Sequence, residues 1–126
     1  EITVRHLLHA LGFRFRLHRK DLPGTPDVVL PKYRTAFYVH GCFWHQHPGC
    51  RRARRPSSNS VYWEEKLDEN VVRDRATIEA IEALGWIAYI VWECETLDLA
   101  HLRARLQALL ESSPPVETSP PGSEGK

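Results

Sequence analysis

No stretch of this 126-residue chain is long and apolar enough to span a membrane. No signal-like segment opens it. Both absences point to a cytoplasmic protein. There is no internal repeat, which argues against a solenoid or propeller. Cysteine is scarce. Three thiols cannot all pair with one another, so a disulfide framework is disfavoured and a reducing compartment with the thiols on a metal is the better reading. Acidic residues are scarce in the first half: residues 1–60 hold 11 Lys/Arg against 3 Asp/Glu, a net of +8. Residues 61–126 hold 6 against 13, a net of −7, so the overall +1 hides an asymmetry. A basic half suits a polyanion such as nucleic acid; a solvated basic face is the competing reading. The length fits one domain with a modest core.

Hydrophobic periodicity gives the order of elements. Ile2, Val4, Leu7, Leu8 and Leu11 recur near helical spacing, with Gly12 as a stop signal. The chain begins inside this helix, which predicts a further segment upstream. Phe13 to Leu17 alternates as a strand does, and residues 22–26 (Leu-Pro-Gly-Thr-Pro) form a turn. Asp27–Leu30 and Thr35–Val39 read as two strands joined as a hairpin through residues 31–34. Cys42 to Ser60 reads as a loop, basic at Arg51, Arg52, Arg54 and Arg55. A helix is expected from about Tyr62 to Leu84, closed by Gly85. Trp86 to Trp92 is apolar at nearly every position, as for a strand covered on both faces. Leu99, Leu102, Leu106 and Leu109 mark a last amphipathic helix. The expectation is an α/β fold, α-β-β-β-α-β-α, with a central mixed sheet flanked by helices. Residues 1–111 form the domain. Residues 112–126, rich in Pro, Ser, Gly and Glu, read as a disordered C-terminal tail.

One string concentrates the chemistry. Between Val39 and Cys50 lie two thiols, three imidazoles and two adjacent aromatics, and a third cysteine, Cys94, follows the late apolar strand. Cys42, His47, Cys50 and Cys94 make a Cys₃His set, the donor pattern of a closed, structural zinc site that would pin the loop to the end of the last strand. His45 is an alternative to His47 as the imidazole ligand, and free thiols with a buried Cys94 are the bland alternative. Asp27 opens a strand at the sheet edge, a usual position for a carboxylate holding a hard divalent cation. A hairpin brings it near His40, which ends the next strand, with His45 one short loop on. A carboxylate for Mg²⁺ and imidazoles for proton transfer are what metal-assisted phosphodiester cleavage needs. The rival role for Asp27 is a turn cap. Asp74 falls on the inward stripe of its helix, with Leu67, Val71, Ile78 and Ile81, and so needs a partner: a loop histidine, or an arginine. Phe43 and Trp44, with Trp63, are candidates to stack on or wedge between bases; core packing is the alternative, strongest for Trp63.

These residues together resemble a known family. Residues 22–27 (LPGTPD), 40–45 (HGCFWH), 70–75 (NVVRDR), 84–86 (LGW) and 91–94 (VWEC) are similar, in the same order, to the very short patch repair (Vsr) mismatch endonucleases. The resemblance runs from Glu1 to about Cys94. It implies a restriction-endonuclease-like fold with a structural zinc, and nicking of one DNA strand 5′ of the thymine in T:G mismatches that arise from 5-methylcytosine deamination. It implies that Asp27 binds the catalytic Mg²⁺ with the backbone of Val39, that His40 and His45 are active-site histidines with Asp74 supporting His45, and that Glu1 is the N-terminal active-site glutamate. It makes Cys42, His47, Cys50 and Cys94 the zinc ligands, and Phe43, Trp44 and Trp63 the wedge. Lys66 and Asn70 match positions near the mismatch. Three places depart from the family: valine at 39, where threonine is common, the Pro48-Gly49 spacer, and the basic loop Arg51–Ser60.

The expected protein is therefore a Mg²⁺-dependent, zinc-stabilised DNA endonuclease. Its partner is double-stranded DNA with a T:G mismatch, together with other mismatch-repair proteins. It is expected to act as a monomer at the bacterial nucleoid. Two alternatives are a zinc-dependent DNA-binding module that cleaves nothing, and a restriction-type nuclease without mismatch preference.

Overall fold

The computed structural model describes residues 1–112. Residues 113–126, where the tail is expected, lie outside the described residues. The elements are α1 (Ile2–Ala10), β1 (Arg16–Leu17), β2 (Val28–Leu30), β3 (Thr35–His40), α2 (Ser60–Ala83), β4 (Ile87–Trp92) and α3 (Leu99–Glu111), in the expected order. Short 3₁₀ turns occupy Pro31–Tyr33, Arg51–Ala53 and Glu93–Leu97. The four strands form one sheet in the order β1-β2-β3-β4. The first two pairings are antiparallel and β3–β4 is parallel, so α2 is the crossover that a parallel pair requires. No helix among the described residues is long and apolar enough to cross a membrane.

Strand alternation sorts the core into two layers. Val28, Leu30, Phe37 and Val91 face α1 and α3, where they bury with Val4, Leu8, Leu102, Leu106 and Leu110. Val29, Ala36 and Tyr38 point the other way, against Leu22 and Ile81, with Ile78 of α2 packed alongside. The same alternation has a functional consequence. Asp27 shares the parity of Val29, and His40 that of Ala36 and Tyr38. Both therefore fall on the α2 face, at the end of the sheet where the β3–β4 pair finishes.

Two elements differ from expectation. The strand read from Phe13 to Leu17 pairs only at Arg16 and Leu17. Continued, the register would set Arg14 opposite Pro31, which has no N–H to donate, so the ladder stops. Phe13 and Phe15 still pack on the α1/α3 cluster without pairing. β4, read as covered on both faces, is an edge strand: Val91 alone is fully buried and Ile87 is exposed. Its margin is partly closed by Arg105 of α3, which donates to the Ile90 carbonyl at 3.2 Å while paired with Glu95 at 2.8 Å.

The turn before β2 depends on its glycine. Gly24 has φ +70°, and a Cβ there would sit 2.5 Å from the Thr77 Cγ2 atom on α2. The backbone thus passes directly against the helix, and Tyr38 donates its hydroxyl to the Pro23 carbonyl at 2.6 Å. Gly24→Ala is expected to destabilise the fold by about 1–3 kcal/mol through left-handed strain and the clash. Urea denaturation measures this; an unchanged midpoint would show that the turn has room to shift.

Candidate active site and metal centre

Asp27 is fixed on both sides. Its N–H donates to the Phe37 carbonyl at 3.1 Å, and its Oδ2 accepts the Val39 N–H at 2.7 Å. It lines a cleft of about 230 Å³ together with Tyr38, His40, His45, Arg73 and Asp74. The structure thus brings the four cleft residues named from sequence to one place. His45 Nδ1 lies 2.6 Å from Asp74 Oδ2, so the partner of Asp74 is the loop histidine rather than an arginine. Because the carboxylate accepts, the imidazole proton is held on Nδ1 and Nε2 is left as the free nitrogen of the neutral ring. His40 stacks on His45 with centroids 3.8 Å apart and planes 10° from parallel. It is buried, and its Nδ1 has no hydrogen-bond partner among the described residues. Burial first, and His45 second, push His40 down to about 4 against a smaller upward pull from Asp74, so it is neutral at pH 7. Burial, then the Asp27 charge, push Tyr38 up to about 12, which keeps its phenol protonated.

Glu1 reaches the same end of the sheet. Its Oε1 lies 3.1 Å from His18 Nε2, and the His18 N–H donates to the Asp27 carbonyl at 3.2 Å. One ligand atom from each of Glu1, His18 and Asp27 falls within 4.8 Å of the others. Two hard carboxylates and nearby backbone oxygens are the donor chemistry of Mg²⁺ rather than of a soft metal.

The thiols converge on the other side of the same loop. Ligand atoms of Cys42, His47, Cys50 and Cys94 all lie within 4.8 Å of one another. His47 Nδ1 is 3.6 Å from Cys42 Sγ and 3.5 Å from Cys94 Sγ. A tetrahedral zinc with ordinary Zn–S and Zn–N bonds sets that edge at about 3.6 Å, so the donor set fits zinc in both chemistry and spacing. The structure also separates the two imidazoles that composition left open: His47 joins the thiols and His45 faces Asp74. Burial, then Cys42 and Cys50, push the Cys94 thiol up to about 11. The Arg52 backbone amide, in the main, draws Cys50 down. A cation would resolve the crowding by holding the sulfurs as thiolates.

The aromatics form one partly exposed group. Phe43, Trp44 and Trp63 contact one another at centroid distances of 5.2–5.9 Å, and Tyr62 meets Trp63 at 5.1 Å. Trp44 is 49% and Tyr62 57% exposed, too open for core. Asn70 holds the group in place by donating to the Trp44 carbonyl at 2.9 Å. Lys66 is exposed one helical turn before Asn70 and makes no ion pair among the described residues.

Comparison with known proteins decides the family. The profile of the family described as "DNA mismatch endonuclease Vsr" matches residues 1–52. The "Type II nicking enzyme V.XorIIP" of Xanthomonas oryzae pv. oryzae is 52% identical over 113 residues, covering 90% of this chain and 82% of that enzyme. The "Type II nicking enzyme V.NmeAIP" of Neisseria meningitidis is 41% identical over 110 residues, or 87% and 78% of the two chains. The "DNA mismatch endonuclease Vsr" of Escherichia coli K12 is 44% identical over 94 residues, covering 75% of this chain and 60% of that protein. This chain belongs to the Vsr family. It is a DNA endonuclease, a hydrolase.

Three residues of this Vsr-family site escaped the sequence reading. His18 falls just past the alternating run that ends at Leu17, and the β1–β2 register sets it opposite Asp27. Trp92 looked like core, yet it stacks on His47 at 4.2 Å and meets His40 edge-on at 5.4 Å, so one ring touches both the metal set and the cleft. Gln46 sat unremarked among histidines. Its side-chain amide donates to the Phe43 and Ala53 carbonyls at 2.8 and 3.0 Å and staples the two halves of the loop. Only the position of Gln46 between two candidate site histidines offered any signal.

Proposed function

We propose that this Vsr-family endonuclease nicks one strand of duplex DNA 5′ of the thymine in a T:G mismatch, as the resemblance of its motifs implies and the name of its E. coli relative suggests. The observation that carries the reading is the convergence of Asp27, His40 and the His45–Asp74 pair in one cleft beside an exposed aromatic group. The fold is restriction-endonuclease-like on this reading, with a structural zinc on Cys42, His47, Cys50 and Cys94. The enzyme acts as a monomer in the bacterial cytosol, with other mismatch-repair proteins as partners.

Asp27 and the Val39 carbonyl, with Glu1 beside them, would hold Mg²⁺, which supplies Lewis-acid polarisation of the scissile phosphate and charge stabilisation at the leaving oxygen. Asp74 fixes the His45 proton on Nδ1, so Nε2 is the site that takes a proton from the attacking water. His40, uncharged and stacked on His45, holds that ring in plane without adding a competing positive charge. Phe43, Trp44 and Trp63 enter beside the mismatch, near Lys66 and Asn70. A T:G wobble is weaker than a matched pair, so opening it costs less by about a few kcal/mol, and this difference favours the mismatch.

Two measurements test the reading. Nicking of a T:G duplex with Mg²⁺ is expected to exceed that of the matched T:A duplex by roughly 10²-fold or more, as about 3 kcal/mol of unstacking difference would give. Equal rates would make the protein a general nuclease. Asp74→Asn keeps the shape of the side chain but loses its charge. It is expected to slow single-turnover nicking by roughly 10²–10⁴-fold with little change in duplex affinity. A parent-like rate would remove His45 from proton transfer.

A further inference from the structure

We infer that Arg51 and Arg54 form a phosphate-binding shelf that grips the backbone of duplex DNA at a fixed position beside the aromatic group. The inference rests on the DNA-endonuclease reading and adds an anchoring site that neither the cleft nor the aromatics supply.

The loop carries four arginines, and they divide into two pairs. Arg55 is used internally: its Nε donates to Gln46 Oε1 at 2.7 Å and its Nη2 to Asp68 Oδ1 at 2.8 Å. Arg52 lies 3.9 Å from Glu93, the carboxylate that accepts the Cys42 N–H. Arg51 and Arg54 are exposed and make no ion pair among the described residues. With Gly49, Cys50 and Arg52 they line an open concavity of about 920 Å³. Two uncompensated guanidiniums on one rim present donor forks that match phosphate oxygens.

Rigidity separates this shelf from an ordinary solvated basic loop. The 3₁₀ turn is closed by Ala53 N–H to the Cys50 carbonyl at 3.0 Å and by Arg54 N–H to the Arg51 carbonyl at 3.3 Å. Cys50 belongs to the metal set. Gln46 ties the Ala53 carbonyl to the Phe43 carbonyl, and Arg55 ties the assembly to α2 through Asp68. The shelf and the aromatic group are therefore parts of one body. An open, shallow site fused to a base-stacking surface fits a continuous polyanion better than a free phosphate, which needs an enclosed pocket. Phosphate contacts position a protein on the duplex and carry no sequence information, so the shelf would set where the aromatics enter without choosing the base pair.

The salt dependence of binding reads the phosphate count directly. For the full chain with zinc, the slope of log K against log salt is expected to fall by about 2 in Arg51→Gln/Arg54→Gln, since each lost phosphate contact removes about 0.9. The fall should be equal on T:G and T:A duplexes. Arg51→Lys/Arg54→Lys should keep the slope, and Arg103→Gln on α3 should leave it at the parent value. As a check independent of any variant, the parent protein on duplexes carrying a single neutral methylphosphonate near the mismatch should show a fall of about 0.9 at each of one or two discrete positions. An unchanged slope in the glutamine variant, or no sensitive position on the methylphosphonate duplexes, overturns the shelf while leaving nicking intact. A parent protein that neither binds nor nicks duplex DNA overturns the underlying reading instead.

Discussion

Asp27→Ala is expected to abolish strand nicking, by roughly 10³-fold or more, while duplex binding persists. The size follows from the role proposed for Asp27: losing a carboxylate that holds a Lewis-acid metal forfeits several kcal/mol of charge stabilisation, and each 1.36 kcal/mol is about tenfold in rate. Binding should persist because the aromatic group and the basic loop lie on other segments and do not contact Asp27. Alanine has a second effect that needs separating. The Val39 N–H, now bonded to Asp27 Oδ2 at 2.7 Å, would lose its acceptor, which costs about 1–3 kcal/mol of stability if no water replaces it. Asp27→Asn resolves the ambiguity. Its amide oxygen can still accept from Val39, so the fold should melt near the parent temperature, while the missing negative charge should remove activity almost as completely. Parallel melting curves and single-turnover nicking on a T:G duplex check both halves. An asparagine variant that nicks at the parent rate would strike Asp27 from the reaction.

The fold was legible because its signals are periodic. Helical spacing at Ile2–Leu11 and Leu99–Leu109 and the glycine stops at Gly12 and Gly85 set the element order, and the hairpin followed from two short strands around Pro31. The inward position of Asp74 could also be read, because a carboxylate on an apolar stripe is an inconsistency that asks for a partner. What stayed hidden depended on neighbours that no local pattern encodes. The extent of β1 was decided by Pro31 on the facing strand, and the exposure of β4 by its place at the end of the sheet order. His47 and His45 have the same composition and nearly the same position. Local pattern does not tell them apart; the family resemblance named His47 for the metal and His45 for Asp74, and the folded loop turns one to sulfur and the other to Asp74. His18 is the clearest case. Its link to Glu1 and Asp27 spans 17 positions in one direction and nine in the other, and arises from a strand register that alternation alone left unspecified.

With zinc held as proposed on Cys42, His47, Cys50 and Cys94, its loss should be the most damaging change to the structure. Cys94→Ser replaces a soft thiolate that comes from a different element than its three companions, so it severs the tie between the loop and the end of β4. The zinc content of the purified protein is expected to fall well below one per chain. The melting temperature should drop by at least about 10 °C, since a structural site contributes several kcal/mol to folding and a domain of this size shifts by about 4–8 °C per kcal/mol. Stripping the parent with a strong chelator should reproduce the shift, and restoring zinc should reverse it. The damage should not stay at the metal. Phe43, Trp44 and His45 lie between Cys42 and His47, so one short segment carries two rings of the aromatic group and the histidine paired with Asp74. Trp92 touches both His47 and His40. Released from the ion, that segment would lose its fixed distance from Asp27, and the T:G preference should decline together with the nicking rate. A serine variant that keeps its melting temperature would show that packing alone holds the loop, and the four converging donors would then need another purpose.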